Sequence, residues 1–300
     1  MRFVKAVTSP DSPDFLPVPE RIAVFDNDGT LWPEQPLIQA VFLAARAKAM
    51  LREDPSWADR EPAVAAAASG DFDYFHREGE AALMALVAAT SAGMTDAEFN
   101  SLVDEFFATS THPTLGKPFT GLAYQPMVEF LDLLRSEGFQ VFICSGGGMD
   151  FVRRVSGPMY GIPAANVIGS SLAKEVGDAD GRTAVWRLPE LASFNDRAEK
   201  VKNIALHLGA RPVVAGGNVR SGGDIAMLTY SSEGPGPSLQ LVVNHDDPER
   251  EFAYAEADRM TLNAAEKNDF LVISIKDDWV TVFDDGPPEP YELSTAGENR

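Results

Sequence analysis

The segment RIAVFD, residues 21–26, is the strongest constraint on what this chain can fold into. It is a short, almost wholly apolar run that ends in a carboxylate. Such a run suits a strand buried on both faces, as in a parallel sheet covered by helices. Asp26 then stands at the carboxyl end of the strand, with Asn27, Asp28, Gly29 and Thr30 directly after it. Two other stretches repeat the arrangement. FQVFICSGGG (139–148) and RPVVAGGN (211–218) are apolar runs that end in glycines. Helical patterns alternate with them: YQPMVEFLDLLRSEG (124–138), MDFVRRVSGPMYG (149–161) and DRAEKVKNIALHLG (196–209). Pro126 is placed for a first helical turn and Gly138 for a C-terminal cap. Strands alternating with helices imply an α/β fold with a doubly wound parallel sheet, in which ligands sit beyond the carboxyl ends of the strands.

The alternation is interrupted between the first two strands. LIQAVFLAARAKAMLRE (37–53), REGEAALMALVAAT (77–90) and TDAEFNSLVDEFFATS (95–110) carry helical spacing, the last opening on a capping-box pair, Thr95 and Glu98. Residues 34–116 therefore read as an inserted helical unit, and 21–33 with 117–285 as the α/β core. ANVIGSSLAKEV (165–176) and GRTAVWRLP (181–189) flank GDAD as a hairpin, and FLVISIKDDWVTVF (270–283) reads as a second hairpin turning at KDD. Residues 1–20, rich in Ser, Pro and Asp, read as a flexible lead-in, and 286–300 as a mobile acidic tail.

Composition narrows the function. The net charge of −20 disfavours nucleic acid and anionic membranes as partners, which need clustered Lys and Arg. A small phosphorylated substrate remains compatible, because a local cation can outweigh the global field. The single cysteine, Cys144, excludes an intrachain disulfide and a cysteine-based zinc site. No apolar run is long enough to span a bilayer, and residues 1–20 have no signal-peptide core. The expected compartment is the cytoplasm, or the periplasm if a leader precedes this chain.

DNDGT (26–30) admits two readings, a turn or a catalytic pair. A calcium loop fails on the letters, since Gly29 is fourth and Leu31 sixth. As a pair, Asp26 is a nucleophile for a phosphoryl group and Asp28 a general acid and base. The Asp26 carboxylate and the phosphate are both anionic, so a Mg²⁺ ion must bridge them to cancel their repulsion. In CSGGG, Ser145 and Gly146 supply hydroxyl and close backbone donors for a phosphate, although a glycine connector is the plainer reading. A cysteine phosphatase would need Arg where Asp150 stands, and a dinucleotide fingerprint would need Gly where Phe151 stands. Lys200 or Lys202 is the candidate phosphate cation, and Asp224, with Asn218, the further metal ligand. His245 follows another strand end and reads as a structural histidine.

Taken together, VFDNDGTLW, VFICSGG, Lys200 and AGGNVRSGGDIAML resemble, in order and spacing, the haloacid dehalogenase-like (HAD) superfamily, nearest to a phosphoserine phosphatase-like bacterial subgroup. The resemblance implies a Rossmann-like core with a C1-type helical cap at 34–116. It implies a Mg²⁺-dependent phosphomonoester hydrolase working through an aspartyl-phosphate. Asp26 would be the nucleophile and Asp28 the acid/base; Ser145 and Lys200 would hold the phosphate. Asp26, the Asp28 carbonyl and Asp224 would hold Mg²⁺. One departure stands out: Arg220 occupies the position four before Asp224 where the family carries an acid, with Asn218 as the substitute. That departure keeps a second reading open, a binding or regulatory protein of the same fold, and phosphotransfer to an acceptor other than water is a third. Trp32, Glu34, Arg46 and Arg153 are the candidates for substrate contact.

Overall fold

The computed structural model describes residues 2–220 and 222–284. Helix α1 (Arg2–Thr8) precedes strand β1 (Ile22–Phe25). Six helices follow: α2 (Ile38–Glu53), α3 (Trp57–Arg60), α4 (Pro62–Ser69), α5 (Phe72–Glu78), α6 (Glu80–Ser91) and α7 (Asp96–Thr109). The chain then returns through α8 (Gln125–Ser136), β2 (Gln140–Gly148), α9 (Met149–Tyr160), β3 (Val167–Ala179), β4 (Arg182–Ser193), α10 (Ala198–Leu208) and β5 (Val214–Asn218). It closes with α11 (Ile225–Ser232), β6 (Leu239–Asn244), α12 (Met260–Asn268), β7 (Leu271–Ser274) and α13 (Ile275–Asp278).

The seven strands form one sheet in the order β4-β3-β2-β1-β5-β6-β7, parallel throughout except for the β3–β4 pair. Strand order runs outward from β1 in both directions, so the topological switch lies beside β1. All four residues of β1 are buried, as an apolar run covered on both faces requires. Ala23 and Phe25 face a core shared with α8, α9 and the inserted helices. Val24 faces a second core with Ile204 of α10 and Met227 and Leu228 of α11. This is a doubly wound α/β sheet with a helical cap inserted after its first strand.

The cap is seated on the core by aromatic side chains. Phe42 of α2 and Phe106 and Phe107 of α7 meet Phe151 of α9 with ring centroids 5.0–6.2 Å apart. Thr95 and Glu98 form the capping box at the start of α7, Thr95 Oγ1 accepting from the Glu98 amide at 3.2 Å. Thr95→Ala should therefore cost about 1 kcal/mol, read as a lower urea midpoint with an unchanged slope.

The structure corrects two expectations. Residues 2–20 are not a loose lead-in: Val4 and Val7, one helical turn apart on α1, are buried in the main core, and the Leu16 amide donates to the Val7 carbonyl at 2.8 Å. Their apolar spacing was obscured by the Ser and Pro around it. The segment 270–283 is not a hairpin either. Residues 271–274 pair in parallel with β6 as β7, and Ser274 Oγ then accepts from the Asp277 amide at 2.9 Å, capping the one-turn helix α13. The GDAD hairpin is present as β3–β4, with Asp180 and Gly181 at positive φ in its turn. The tail at 286–300 lies outside the described residues. Among the described residues no helix is long and apolar enough to cross a membrane.

Candidate active site

Because β1 lies between β2 and β5, the three glycine-adjacent strand ends fall side by side. Asp26 continues β1, its amide donating to the Gly216 carbonyl at 2.9 Å. The chain then turns tightly: the Leu31 amide donates to the Asn27 carbonyl at 2.8 Å, and Gly29 takes a φ of +72°. A side chain at Gly29 would be strained by that φ and would also meet Glu34 Oε1 at 2.7 Å and Asn218 Nδ2 at 2.8 Å. The turn reading and the pair reading of DNDGT thus describe the same residues.

Lys200, buried on α10, reaches the centre of this edge. Its Nζ donates to Asp26 Oδ1 at 2.7 Å and to Asp224 Oδ1 at 2.5 Å. Burial opposes the ammonium charge, but Asp224 and Asp26 outweigh it and hold Lys200 protonated above its ordinary range. Burial, reinforced by repulsion from Asp224, pushes the Asp26 carboxyl up against the pull of Lys200. Two carboxylates share one ammonium here. Lys202, by contrast, is exposed and paired with Glu199 at 2.9 Å, away from this edge.

Asp28 is held from two sides. Trp32 Nε1 donates to its Oδ1 at 2.9 Å, and Ser145 Oγ donates to its Oδ2 at 3.4 Å. Burial raises its carboxyl, while the Trp32 bond, Arg220, Lys200 and Ser145 act to lower it. Ser145 Oγ also accepts from the Gly147 amide at 3.0 Å, and Gln39 Oε1 takes the Gly148 amide at 2.7 Å; Gly146 lines the cavity. Asn195, a buried residue the sequence reading missed, fixes the end of β2 by donating to the Ser145 carbonyl at 2.9 Å. Cys144 is buried and its thiol pushed up to about 11 by that burial, which excludes it as a thiolate nucleophile.

On the β5 side, the Asn218 amide donates to Asp224 Oδ2 at 3.1 Å. Gly217 leaves no room for a side chain, since a Cβ there would sit 2.5 Å from Asp224 Oδ2. Asn218 Nδ2 is seated between Asp28 O (2.6 Å), Thr30 Oγ1 (3.3 Å) and Asp26 Oδ2 (3.5 Å), while its Oδ1 is buried without a partner. Arg220, which lines the same cavity, is paired with Glu34, which also accepts from Tyr254 Oη at 2.6 Å. Burial nonetheless raises the Glu34 carboxyl to about 7, against both partners.

Among the described residues no three His, Cys, Asp or Glu side chains gather as a metal-holding group. A hard cation would instead draw on Asp26, Asp224 and the Asp28 carbonyl, and on Asn218 Oδ1 once the amide turns over from the orientation that sets Nδ2 on the Asp28 carbonyl. That set is all oxygen and carries more negative charge than Lys200 balances, which fits Mg²⁺.

Of the four residues expected to touch substrate, only Glu34 lines the cavity in front of Asp26. Trp32 is buried behind Asp28, packed on Phe107 and Phe151. Arg46 lies on α2 with its Nε buried in the cap. Arg153 donates to the Ala164 carbonyl at 3.1 Å and to Asp150 Oδ1 at 3.4 Å. Helical side chains one or two residues apart point to different surfaces, and a basic residue in a helical segment carries no sign of which one it faces. His245 is buried under the turn at residues 27–31, its Nε2 2.7 Å from the Gly29 carbonyl and its Nδ1 3.1 Å from Glu251 Oε2.

With this geometry in place, comparison with known proteins is decisive for the family. The model of haloacid dehalogenase-like hydrolases matches residues 23–229. The chain belongs to that family. Its fold is shared with a protein of unknown function from Anaerococcus prevotii (15% identity, 90% of this chain and 89% of that one, TM-score 0.58). A second protein of unknown function, from Bordetella pertussis, is similar at 15% identity over 85% of this chain and 98% of that one (TM-score 0.51). A phosphoserine phosphohydrolase-like protein from Francisella tularensis is also 15% identical, over 84% and 94%, at a TM-score of 0.47. No curated protein matches the sequence. Membership makes the chain a HAD-like hydrolase, and the β1–β2–β5 edge is the place where ligands of doubly wound sheets bind.

Proposed function

We propose that this hydrolase is a Mg²⁺-dependent phosphatase that cleaves a small phosphomonoester through an aspartyl-phosphate on Asp26. The observation that carries the reading is the meeting of Asp26, Asp28, Lys200 and Asp224 at one sheet edge, inside one cavity, with Ser145 buried behind Asp28. An oxygen of Asp26 attacks phosphorus as the bond to the leaving oxygen breaks, and Asp28 gives that oxygen its proton. Asp28, now ionised, takes a proton from water; the hydroxide attacks the aspartyl-phosphate, releasing phosphate and restoring Asp26. Lys200 neutralises charge on the transferring oxygens. Trp32 and Ser145 hold the Asp28 carboxyl in one orientation. When bound by Asp26, Asp224, the Asp28 carbonyl and Asn218, Mg²⁺ supplies the charge that lets an anionic nucleophile approach a phosphate.

Hydrolysis of an aryl phosphate, assayed with Mg²⁺ and with chelator, tests the reading. Activity is expected with the ion and its loss in chelator. Asp28→Asn, isosteric and able to keep one hydrogen bond, should lower kcat by roughly 10²–10⁴-fold. Turnover that ignores both the chelator and Asp28→Asn would sink it. Metal-dependent ligand binding with no turnover would favour the binding-protein alternative, and phosphate recovered on an added alcohol would favour the transferase.

A further inference from the structure

The cavity that contains Asp26 encloses about 360 Å³, at the small end of the ~300–1,000 Å³ of ligand pockets. Its two ends are unlike. One is the charged sheet edge just described. The other, between the cap and the β3–β4 hairpin, is walled by Leu43 of α2, Met84 and Val87 of α6 and Phe99 of α7. At its mouth stand Leu37, Leu83, Leu191 and Phe194, which are 38–43% exposed. Single exposed apolar side chains are ordinary, but four around one opening, continuous with an apolar wall, mark a surface that a ligand covers.

The charged groups on this side are engaged with one another. Arg187 of β4 pairs with Asp150 and Asp96 and donates from Nε to the Ser91 carbonyl at 2.8 Å, its guanidinium 3.8 Å from the Phe99 ring centre. Lys174 completes the cluster at 2.7 Å from Asp96 and 3.1 Å from Asp150. Glu34 is closed against Arg220 and Tyr254. Asp196, 3.9 Å from Arg197 at the rim, is the one loosely held carboxylate among these groups. A substrate carboxylate would have to break a buried pair to find a counter-ion here and an ammonium would find only Asp196 at the rim, whereas a hydrocarbon has only to displace water.

We propose that the organic group of the substrate is uncharged and apolar, an alkyl or aryl phosphomonoester whose hydrocarbon lies between α6, α7 and β4 while its phosphate faces Asp26. This rests on the phosphomonoesterase reading for the phosphate end, and two measurements separate the two. With the full chain and Mg²⁺, kcat/KM is compared for methyl, butyl, hexyl and naphthyl phosphate, with glycerol phosphate and phosphoserine as polar counterparts. The value should climb about fourfold per methylene until the cavity is filled, and the polar esters should fall below butyl phosphate. In parallel, calorimetric affinities of methyl and hexyl phosphate are measured on Asp26→Asn, where turnover is not required. Val87→Asn should lower the hexyl-to-methyl ratio roughly tenfold. Leu83→Gln, at the exposed rim where folding is not at stake, should lower it in the same direction.

Equal kcat/KM along the series, or a preference for phosphoserine, overturns the apolar assignment and leaves the phosphatase standing. If no ester is hydrolysed but affinity still rises with chain length, the phosphatase reading falls and the apolar site stands. Flat affinities, or a ratio that neither variant moves, overturn it.

Discussion

Asp26→Asn is expected to remove turnover of an aryl phosphate while leaving the protein folded. The amide cannot form the aspartyl-phosphate, and loss of a covalent nucleophile costs roughly 10³–10⁶-fold in kcat. The fold should be spared because of the charge count around Lys200. Asp26 and Asp224 share its single ammonium, at 2.7 and 2.5 Å. Replacing one carboxylate by an amide leaves a balanced Lys200–Asp224 pair and relieves the repulsion between the two acids. Turnover at saturating Mg²⁺ and the urea midpoint in chelator should therefore move in opposite directions: the first collapses, and the second holds or rises. Activity within tenfold of wild type would place the nucleophile elsewhere.

Lys200→Met is the complementary experiment and should be the most destabilising single change at this edge. It keeps the volume of the stem but strands two buried carboxylates beside each other. Breaking a buried ion pair by deleting one partner costs about 3–5 kcal/mol, and here one deletion orphans two partners. The measurement is urea unfolding in chelator, so that no divalent ion replaces the ammonium. In the double variant Asp26→Asn/Lys200→Met, one stranded charge is gone and part of the loss should return, a coupling that a double-mutant cycle reads directly. A Lys200→Met midpoint close to wild type would mean that the acids do not depend on this lysine.

The sheet edge was legible in the sequence because each of its parts is local. A buried strand must be apolar and its end must be polar, so IAVF followed by Asp26, and VVAGG followed by Asn218, announce themselves. Their adjacency follows from the rule that doubly wound sheets switch beside the first strand. What was not legible lies between segments distant in the chain. Nothing in the letters near Trp32 says that its indole bonds Asp28, since that depends on how the turn at Gly29 folds the chain back. Arg46 and Arg153 were candidates for substrate contact, but which surface each one faces is settled by packing. The apolar wall is shared among α2, α6, α7 and β4, and in each segment its residues look like ordinary core.

The β3–β4 hairpin bears on how this protein could be taken apart and recombined. Although it springs from the core sheet, its β4 arm is stitched to the cap by main chain: the Gly93 amide donates to the Arg187 carbonyl at 2.8 Å, and the Arg187 amide to the Met94 carbonyl at 2.9 Å. The insert after β1 is therefore not a self-contained cassette. A chimera that exchanged residues 38–109 for another cap would leave Arg187 without Asp96 and without the Phe99 ring beneath it. Transplanting the specificity of this enzyme means moving two segments, the helical insert and the hairpin at 167–193, as one matched set.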